Sequence, residues 1–224
     1  MRLIALDTAT GAPTACLWAD GVVVAGWEGP LRSGPPAVVA GAMRLLEEAG
    51  WRLTELDALA FGRGPGAFTG VRLGVAVAQG LALGAGLPVV PVSDLAALAC
   101  NAYRERGWQR VLACLDARQR EVYWGAYRID ADGEPRNEGR EAVGAPAEVV
   151  APPGDWGLAG SGAGMVPWNG TAAPDVVPDA RAVAAIAAGA AARGETVAAE
   201  AAAPCYLRNR VATPSPRRHN QFLP

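Results

Sequence analysis

The residues of this chain most able to do chemistry are two aspartates in matching positions. Asp7 ends the apolar run 3–6 and is followed by Thr8 and Thr10 in a turn. Two β-rich runs, 14–18 and 22–27, come next, joined by Asp20-Gly21, a strong hairpin signal. Asp116 ends the run 111–116, and after a turn at 117–120 the segment 121–129 alternates as a second strand. A duplicated hairpin with one carboxylate per copy suits a two-lobed nucleotide-binding fold, where the pair could serve a magnesium-assisted phosphoryl transfer. A structural role is open at both places. Asp and Thr in turns commonly satisfy local backbone groups. Asp116, Arg118, Arg120 and Glu121 could equally form solvated ion pairs worth at most about 1 kcal/mol each.

Other chemistries are scarce. All 20 basic residues are arginine, so a lysine Schiff base and the lysine of a phosphate-binding loop are both missing. The one histidine, His219, lies near the end of the sequence, which argues against Ser-His-Asp and Cys-His sites. No His-x-x-x-His pair offers metal ligands, and Glu47-Glu48 reads as a solvated helix face. Cys16, Cys100, Cys114 and Cys205 are scattered and read as free thiols in a reducing compartment. A formal charge of −2 gives no broad basic field, which argues against tight nucleic-acid binding by the chain alone.

The stretch 61–74, Phe-Gly-Arg-Gly-Pro-Gly-Ala-Phe-Thr-Gly-Val-Arg-Leu-Gly, organises the rest. It follows a buried strand at 56–60 and opens a long apolar helix at 71–83. Gly62, Gly64 and Gly66 permit positive φ, Pro65 stiffens the turn, and Thr69 is placed to cap the helix. An anion site at the helix N-terminus and a purely structural turn both fit. Within the helix, Gly70 and Gly74 lie on one face, and Gly80 and Gly84 repeat the spacing. Each costs about 1 kcal/mol relative to alanine, so close packing must explain them, either on the parent sheet or against a helix of another subunit. Only Arg72 and Gln79 are strongly polar there. The helix reads as buried on nearly all sides and too short and interrupted to span a bilayer, so its outer face is expected to be a protein interface.

These residues resemble the signature of the bacterial TsaB (YeaZ) family, a subunit of the machinery that makes threonylcarbamoyladenosine in tRNA. Further matches are Ile4 to Thr10, Ala78 to Gly84, Leu115 to Arg118 with Glu121 to Trp124, and Pro204 to Val211. The resemblance spans nearly the whole chain. It implies an α/β, two-lobed actin/Hsp70/sugar-kinase-like (ribonuclease H-like) fold with a reduced second lobe. It also implies a subunit that is not an enzyme on its own and supports the homologous, metal-dependent transferase TsaD. The product is N6-threonylcarbamoyladenosine at position 37 of tRNAs reading codons that begin with A.

The implied partners are TsaD, the ATPase subunit TsaE, a second copy when alone, and tRNA indirectly. No metal or cofactor of its own is implied, ATP or ADP entering only within the complex. Gly64, Pro65, Phe68, Thr69, Gly70, Arg72, Gly74, Val77 and Leu81 are the expected contact residues. Asp7, Thr8, Asp116, Gly160 and Gly162 are the residues of a vestigial nucleotide cleft. The alternative is an ATP-using phosphotransferase of the sugar-kinase superfamily, which requires Asp7 and Asp116 to face one cleft. One departure stands out: many relatives carry a histidine in the loop around Ser33, here Leu31-Arg32-Ser33-Gly34.

The expected division is an N-terminal lobe at 1–107, a C-terminal lobe at 108–212 and a disordered Pro- and Arg-rich tail at 213–224. Helices are expected at 37–49, closed by Gly50; at 95–106, capped by Ser93-Asp94 and closed by Gly107; and at 180–193, capped by Asp179. A Gly/Pro-rich connection is expected at 142–174 and a last strand at 203–207. The N-terminus meets Asp7 before a signal-peptide core forms, so the expectation is a cytoplasmic protein with no membrane contact.

Overall fold

The computed structural model of the chain describes residues 1–208; the expected tail lies outside the described residues. The first sheet is laid down by β1 (Arg2–Asp7), β2 (Thr14–Ala19), β3 (Val22–Glu28), β4 (Ala58–Gly62) and β5 (Val89–Val92), in the order β3-β2-β1-β4-β5. The opening hairpin makes β1, β2 and β3 antiparallel. β4 and β5 return parallel to β1 because helices intervene. β1 and β4 are almost wholly apolar and buried, as central parallel strands must be.

The second sheet repeats this plan on a smaller scale. β6 (Arg110–Arg118) and β7 (Glu121–Ile129) form its hairpin, β8 (Pro135–Asn137) extends it, and β9 (Ala142–Gly144) also pairs with β7. β10 (Gly157–Ala159) and β11 (Ala172–Ala173) lie parallel on the other side of β6. The order β11-β10-β6-β7-β8 therefore mirrors β5-β4-β1-β2-β3. Reduction is plain in the connections. Where the first sheet carries a helix of 18 residues between its two parallel strands, the second carries a 3-10 turn, Ala163–Met165.

Four helices complete the fold among the described residues: α1 (Pro35–Glu48), α2 (Phe68–Ala85), α3 (Asp94–Arg106) and α4 (Ala180–Ala192). Pro35 and Pro36 open α1, where a missing N–H costs nothing. Ser93 caps α3 through its hydroxyl, and Asp179 caps α4 through its carboxylate. Thr69 is not a cap: α2 begins at Phe68, its N-cap is Ala67, and no side chain caps it. By length and apolarity α2 could cross a membrane, which corrects the expectation that it is too short; in this fold it packs on β4 and β1 instead. The segment expected as a last strand at 203–207 is irregular, held by the Cys205 N–H on the Arg63 carbonyl at 2.7 Å.

The division at 107 follows the chain but not the packing. α3 lies against β6, β7 and β8 of the second sheet, while α4 crosses to cover β1, β2, β4 and β5 of the first. Leu95, Leu98 and Ala102 of α3 are buried with Val111, Leu115 and Tyr127. Val183, Ala184 and Ala187 of α4 are buried with Leu3, Ala5 and Ala60. Each sheet borrows a helix from the other half of the sequence.

Candidate partner interface and interlobe cavity

The turn after β1 is sealed from below and above. Asp7 is 3% exposed, and its Oδ1 accepts the Ala9 N–H at 2.8 Å. Its other oxygen, Oδ2, meets no N–H or O–H donor, and neither does Asp94 Oδ1. The two carboxyls are neighbours, each acting on the other's ionisation. Burial pushes both above the ordinary carboxylate range, Asp94 well above it, where the Asp7 charge adds to the effect. Asp94 Oδ2 accepts the Gly64 N–H at 2.5 Å, which ties the glycine-rich turn to the start of α3. A Cβ at Gly62 would stand 2.6 Å from Asp94 Oδ1, so glycine there makes room for the pair.

The helix glycines divide into two sets. A Cβ at Gly70 would meet the Thr8 carbonyl oxygen at 2.1 Å, and one at Gly74 the Thr8 hydroxyl at 2.5 Å. That hydroxyl donates to the Gly70 carbonyl at 2.7 Å. Close approach at these positions is therefore made by the chain's own first turn, not by a second subunit. Gly80 and Gly84 have no atom within 4 Å of an added Cβ and lie exposed.

Of the expected contact residues, Phe68, Thr69 and Arg72 are at the surface and Leu81 is half-buried, whereas Gly64, Pro65, Gly74 and Val77 are buried. The outer face of α2 instead presents Thr69, Arg72, Ala76, Gly80, Leu83 and Gly84. Beside it α1, in contact with α2, exposes Ala40 and Met43 while burying Val38, Ala42, Leu45 and Leu46. Trp27 fills the space over Gly41 and anchors α1 to the sheet. Beyond Thr69 and Arg72, the outer face of α2 is Ala, Gly and Leu, which with Ala40 and Met43 of α1 have little to offer water.

Arg72 sits at one end of this face, its guanidinium 3.7 Å above the Phe68 ring and 5.6 Å from that of Tyr206. Its Nε donates to the Tyr206 hydroxyl at 2.8 Å. Within this chain Arg72 is thus held by two aromatic rings and a phenol hydroxyl. Tyr206 lies in the matched stretch 204–211 but is not among the expected contact residues.

Between the lobes opens a cavity of about 910 Å³. Its walls include Thr10, Arg32, Phe68, Asp116, Arg118, Ser161 and Tyr206. Asp7 does not line it, so the two aspartates do not face one cleft. Asp116 is occupied by its own turn: Oδ1 accepts the Arg118 N–H at 2.7 Å and Oδ2 lies 3.2 Å from the Arg118 guanidinium. Arg118, Gln119 and Arg120 then run through three successive left-handed conformations, with φ of 62°, 55° and 63°. Gly160 and Gly162 pack on the Cys114 carbonyl and thiol; the cavity receives Ser161 from between them. Leu31 and Arg32 of the departed loop also stand on its wall.

The described residues bring together no group of three His, Cys, Asp or Glu side chains able to hold a metal. The cysteines are free, and burial pushes the thiols of Cys16 and Cys114 up to about 12 and that of Cys100 up to about 11. None is poised as a thiolate.

Comparison with known proteins gives a consistent set of likenesses. A model of the family described as "TsaD: tRNA N6-adenosine threonylcarbamoyltransferase" matches residues 39–205. The tRNA threonylcarbamoyladenosine biosynthesis protein TsaB of Escherichia coli K12 is 43% identical over 231 residues, covering 95% of this chain and 96% of that protein. The TsaB of Haemophilus influenzae is 44% identical over 55% of this chain and 52% of its own length. Among solved structures, YeaZ from Pseudomonas aeruginosa superposes with a TM-score of 0.86 at 45% identity, covering 92% of this chain and 99% of that one.

Proposed function

The chain belongs to the TsaB (YeaZ) family, and we propose that it acts as a non-catalytic partner subunit of a metal-dependent tRNA threonylcarbamoyl transferase of the TsaD kind. In this reading the complex makes N6-threonylcarbamoyladenosine at position 37 of tRNAs reading codons that begin with A, in the cytoplasm. The transferase supplies the metal chemistry, and an ATPase subunit of the TsaE kind, with its ATP and ADP, joins the assembled complex. This chain supplies a surface.

The observation that carries the proposal is the unpartnered apolar surface of α1 and α2, two helices in contact on which Ala40, Met43, Ala76, Gly80 and Leu83 are exposed. Contiguous apolar surface on two packed helices is the kind a soluble chain retains for association. Without the transferase the same face serves a second copy through a two-fold, self-complementary contact. The two assemblies then compete, and homodimer stability subtracts from affinity for the transferase.

Replacing Met43 and Leu83 by Asp tests this directly, since both are about half-exposed, at 44% and 50%, and the fold does not depend on them. The double variant should keep the wild-type thermal transition, lose co-elution with the transferase, and lower threonylcarbamoyladenosine in a reconstituted reaction to the level seen when this chain is omitted. Full modification without this chain, or with a variant that no longer binds, would refute the reading. The phosphotransferase alternative finds no support: the carboxylate it needs in the cavity, Asp7, is buried against Asp94.

A further inference from the structure

The chain as a whole is slightly acidic, yet the walls of the interlobe cavity are not. Arg32, Arg118 and Arg208 line it, and Asp116 is the one carboxylate among the lining residues. Arg72 stands at the mouth, held by Phe68 and Tyr206, both of them lining residues. Asp116 offsets Arg118, and Glu121 offsets Arg208, whereas Arg32 and Arg72 form no ion pair among the described residues. Aromatic surface is interleaved with this charge. Phe68 and Tyr206 are 47% and 50% exposed, and Tyr123 adds a third ring. The volume, about 910 Å³, lies at the upper end of the about 300–1,000 Å³ that ligand sites usually occupy.

We propose that this cavity is a binding site for a single-stranded segment of RNA. Exposed rings that accept bases of any sequence, beside cations that follow a phosphate backbone, are the recurrent means of holding an unpaired strand. Arg72 over Phe68 is already a stacked cation and ring of the sort that extends onto a base. The distribution of charge favours a strand over a free nucleotide. A di- or triphosphate is gripped by donors converging on one point, whereas the arginines here come from four separate elements: the loop before α1, α2, the β6–β7 turn and the segment after residue 202.

The β6–β7 turn places two more side chains on this wall. Arg118 pairs with Glu121, and the two-residue loop between them takes positive φ at Gln119 and Arg120, as a type I′ hairpin turn requires. Arg118 and Gln119 stand on the cavity wall. The low overall charge still limits affinity, so binding is weak and local, not a broad electrostatic grip. Docking through α1 and α2 plays no part in this inference, and its assay uses the chain alone.

The experiment is fluorescence anisotropy of the full chain with an end-labelled, unpaired RNA of about eight nucleotides, a length within the site sizes of such grooves. Saturable micromolar binding is expected, with log affinity falling against log salt by about 0.7 per phosphate contacted. Arg32→Glu with Arg118→Glu should lower affinity at least about tenfold, while Arg52→Glu with Arg128→Glu, the same change of charge away from the cavity, should not. Tyr206→Ala alone, which leaves the charge intact, should also weaken binding and guards against misfolding of the double variant. The proposal is overturned by absence of saturable binding, by equal losses in both double variants, or by ATP displacing the RNA at equal concentration, which would make the cavity a mononucleotide pocket.

Discussion

The two hairpins of this molecule start from the same plan and end in opposite states. In the first, Asp7 is buried beside Asp94, with its carboxyl raised by that burial, and lies under a turn that α2 closes through Gly70 and Gly74. In the second, Asp116 is at the surface, pairs only with its own turn, and borders an open cavity. The sheet orders match strand for strand, so the strands do not make the difference. The connection after the fourth strand does: 18 helical residues in one lobe, a single 3-10 turn in the other. Where the helix is long, the turn becomes core; where it has shrunk, the turn is left on the wall of the cavity.

The most damaging way to break this comparison is to force open the closed turn. Gly70→Val places a Cβ where the Thr8 carbonyl oxygen stands 2.1 Å away, and that atom belongs to the backbone. The loss should exceed the about 1–3 kcal/mol typical of overpacking, read as a lower midpoint in urea denaturation. Gly80→Ala on the same helix, with no atom within 4 Å, should instead gain up to about 1 kcal/mol. Comparable losses at both positions would show that α2 does not seal the turn.

A smaller effect comes from the buried carboxyl pair. The folded chain holds protons there more tightly than the unfolded chain, because burial raises both carboxyls and because Glu141 and Asp179 stand near enough to add to the shift. Stability from this source is fully present in acid, below the ordinary aspartate range, and is lost as pH rises through the raised folded-state values. Asp94→Asn supplies a permanent donor to Asp7 and keeps an acceptor for the Gly64 N–H. Its Tm should exceed that of the wild type at pH 8, by a margin that shrinks toward pH 4. A constant difference across that range would mean that the folded chain does not raise the two carboxyls. Asp116→Asn, at the open turn, should show no such pH-dependent gain.

The least effect is expected at the strained turn. Gln119→Gly removes the Cβ penalty at φ 55° and adds chain entropy to the unfolded state, for a net gain of at most about 1 kcal/mol. Chemical denaturation resolves it. A loss in place of a gain would show that the Gln119 side chain holds the turn.

Much of this was legible in the residues. The Asp20-Gly21 turn, the Ser93 and Asp179 caps and the run of buried strands are local signals, and the structure places each as the spacing says. Helix glycines are ambiguous in a different way. Spacing identifies a face that permits close approach but not what approaches, and for Gly70 and Gly74 the neighbour proved to be Thr8, far back in the chain. Asp94 gave no warning either. As the first residue of α3 it looks like an ordinary acidic helix start, and its partnership with Asp7 exists only once β1 and β4 are paired. Helix α2 is more exposed than its apolar sequence says, and the residues chosen for its outer face came partly from the buried side.

The exchange of α3 and α4 between the sheets bears on how the chain comes into being. As synthesis proceeds from the N-terminus, all five strands of the first sheet have emerged by Val92, yet the helix that covers their second face ends at Ala192. For the intervening hundred or so residues, Leu3, Ala5, Ala60 and Val90 have only Ala97 and Cys100 of α3 for cover in place of the whole of α4, and the other apolar side of α3 waits for β6. Domains commonly fold in sequence as they leave the ribosome; here the first lobe cannot be finished before the second. A nascent chain stalled near residue 107 would expose a bare sheet face and be a target for chaperones and proteases. Pulse proteolysis of such stalled chains should find protection arriving late and for both lobes together.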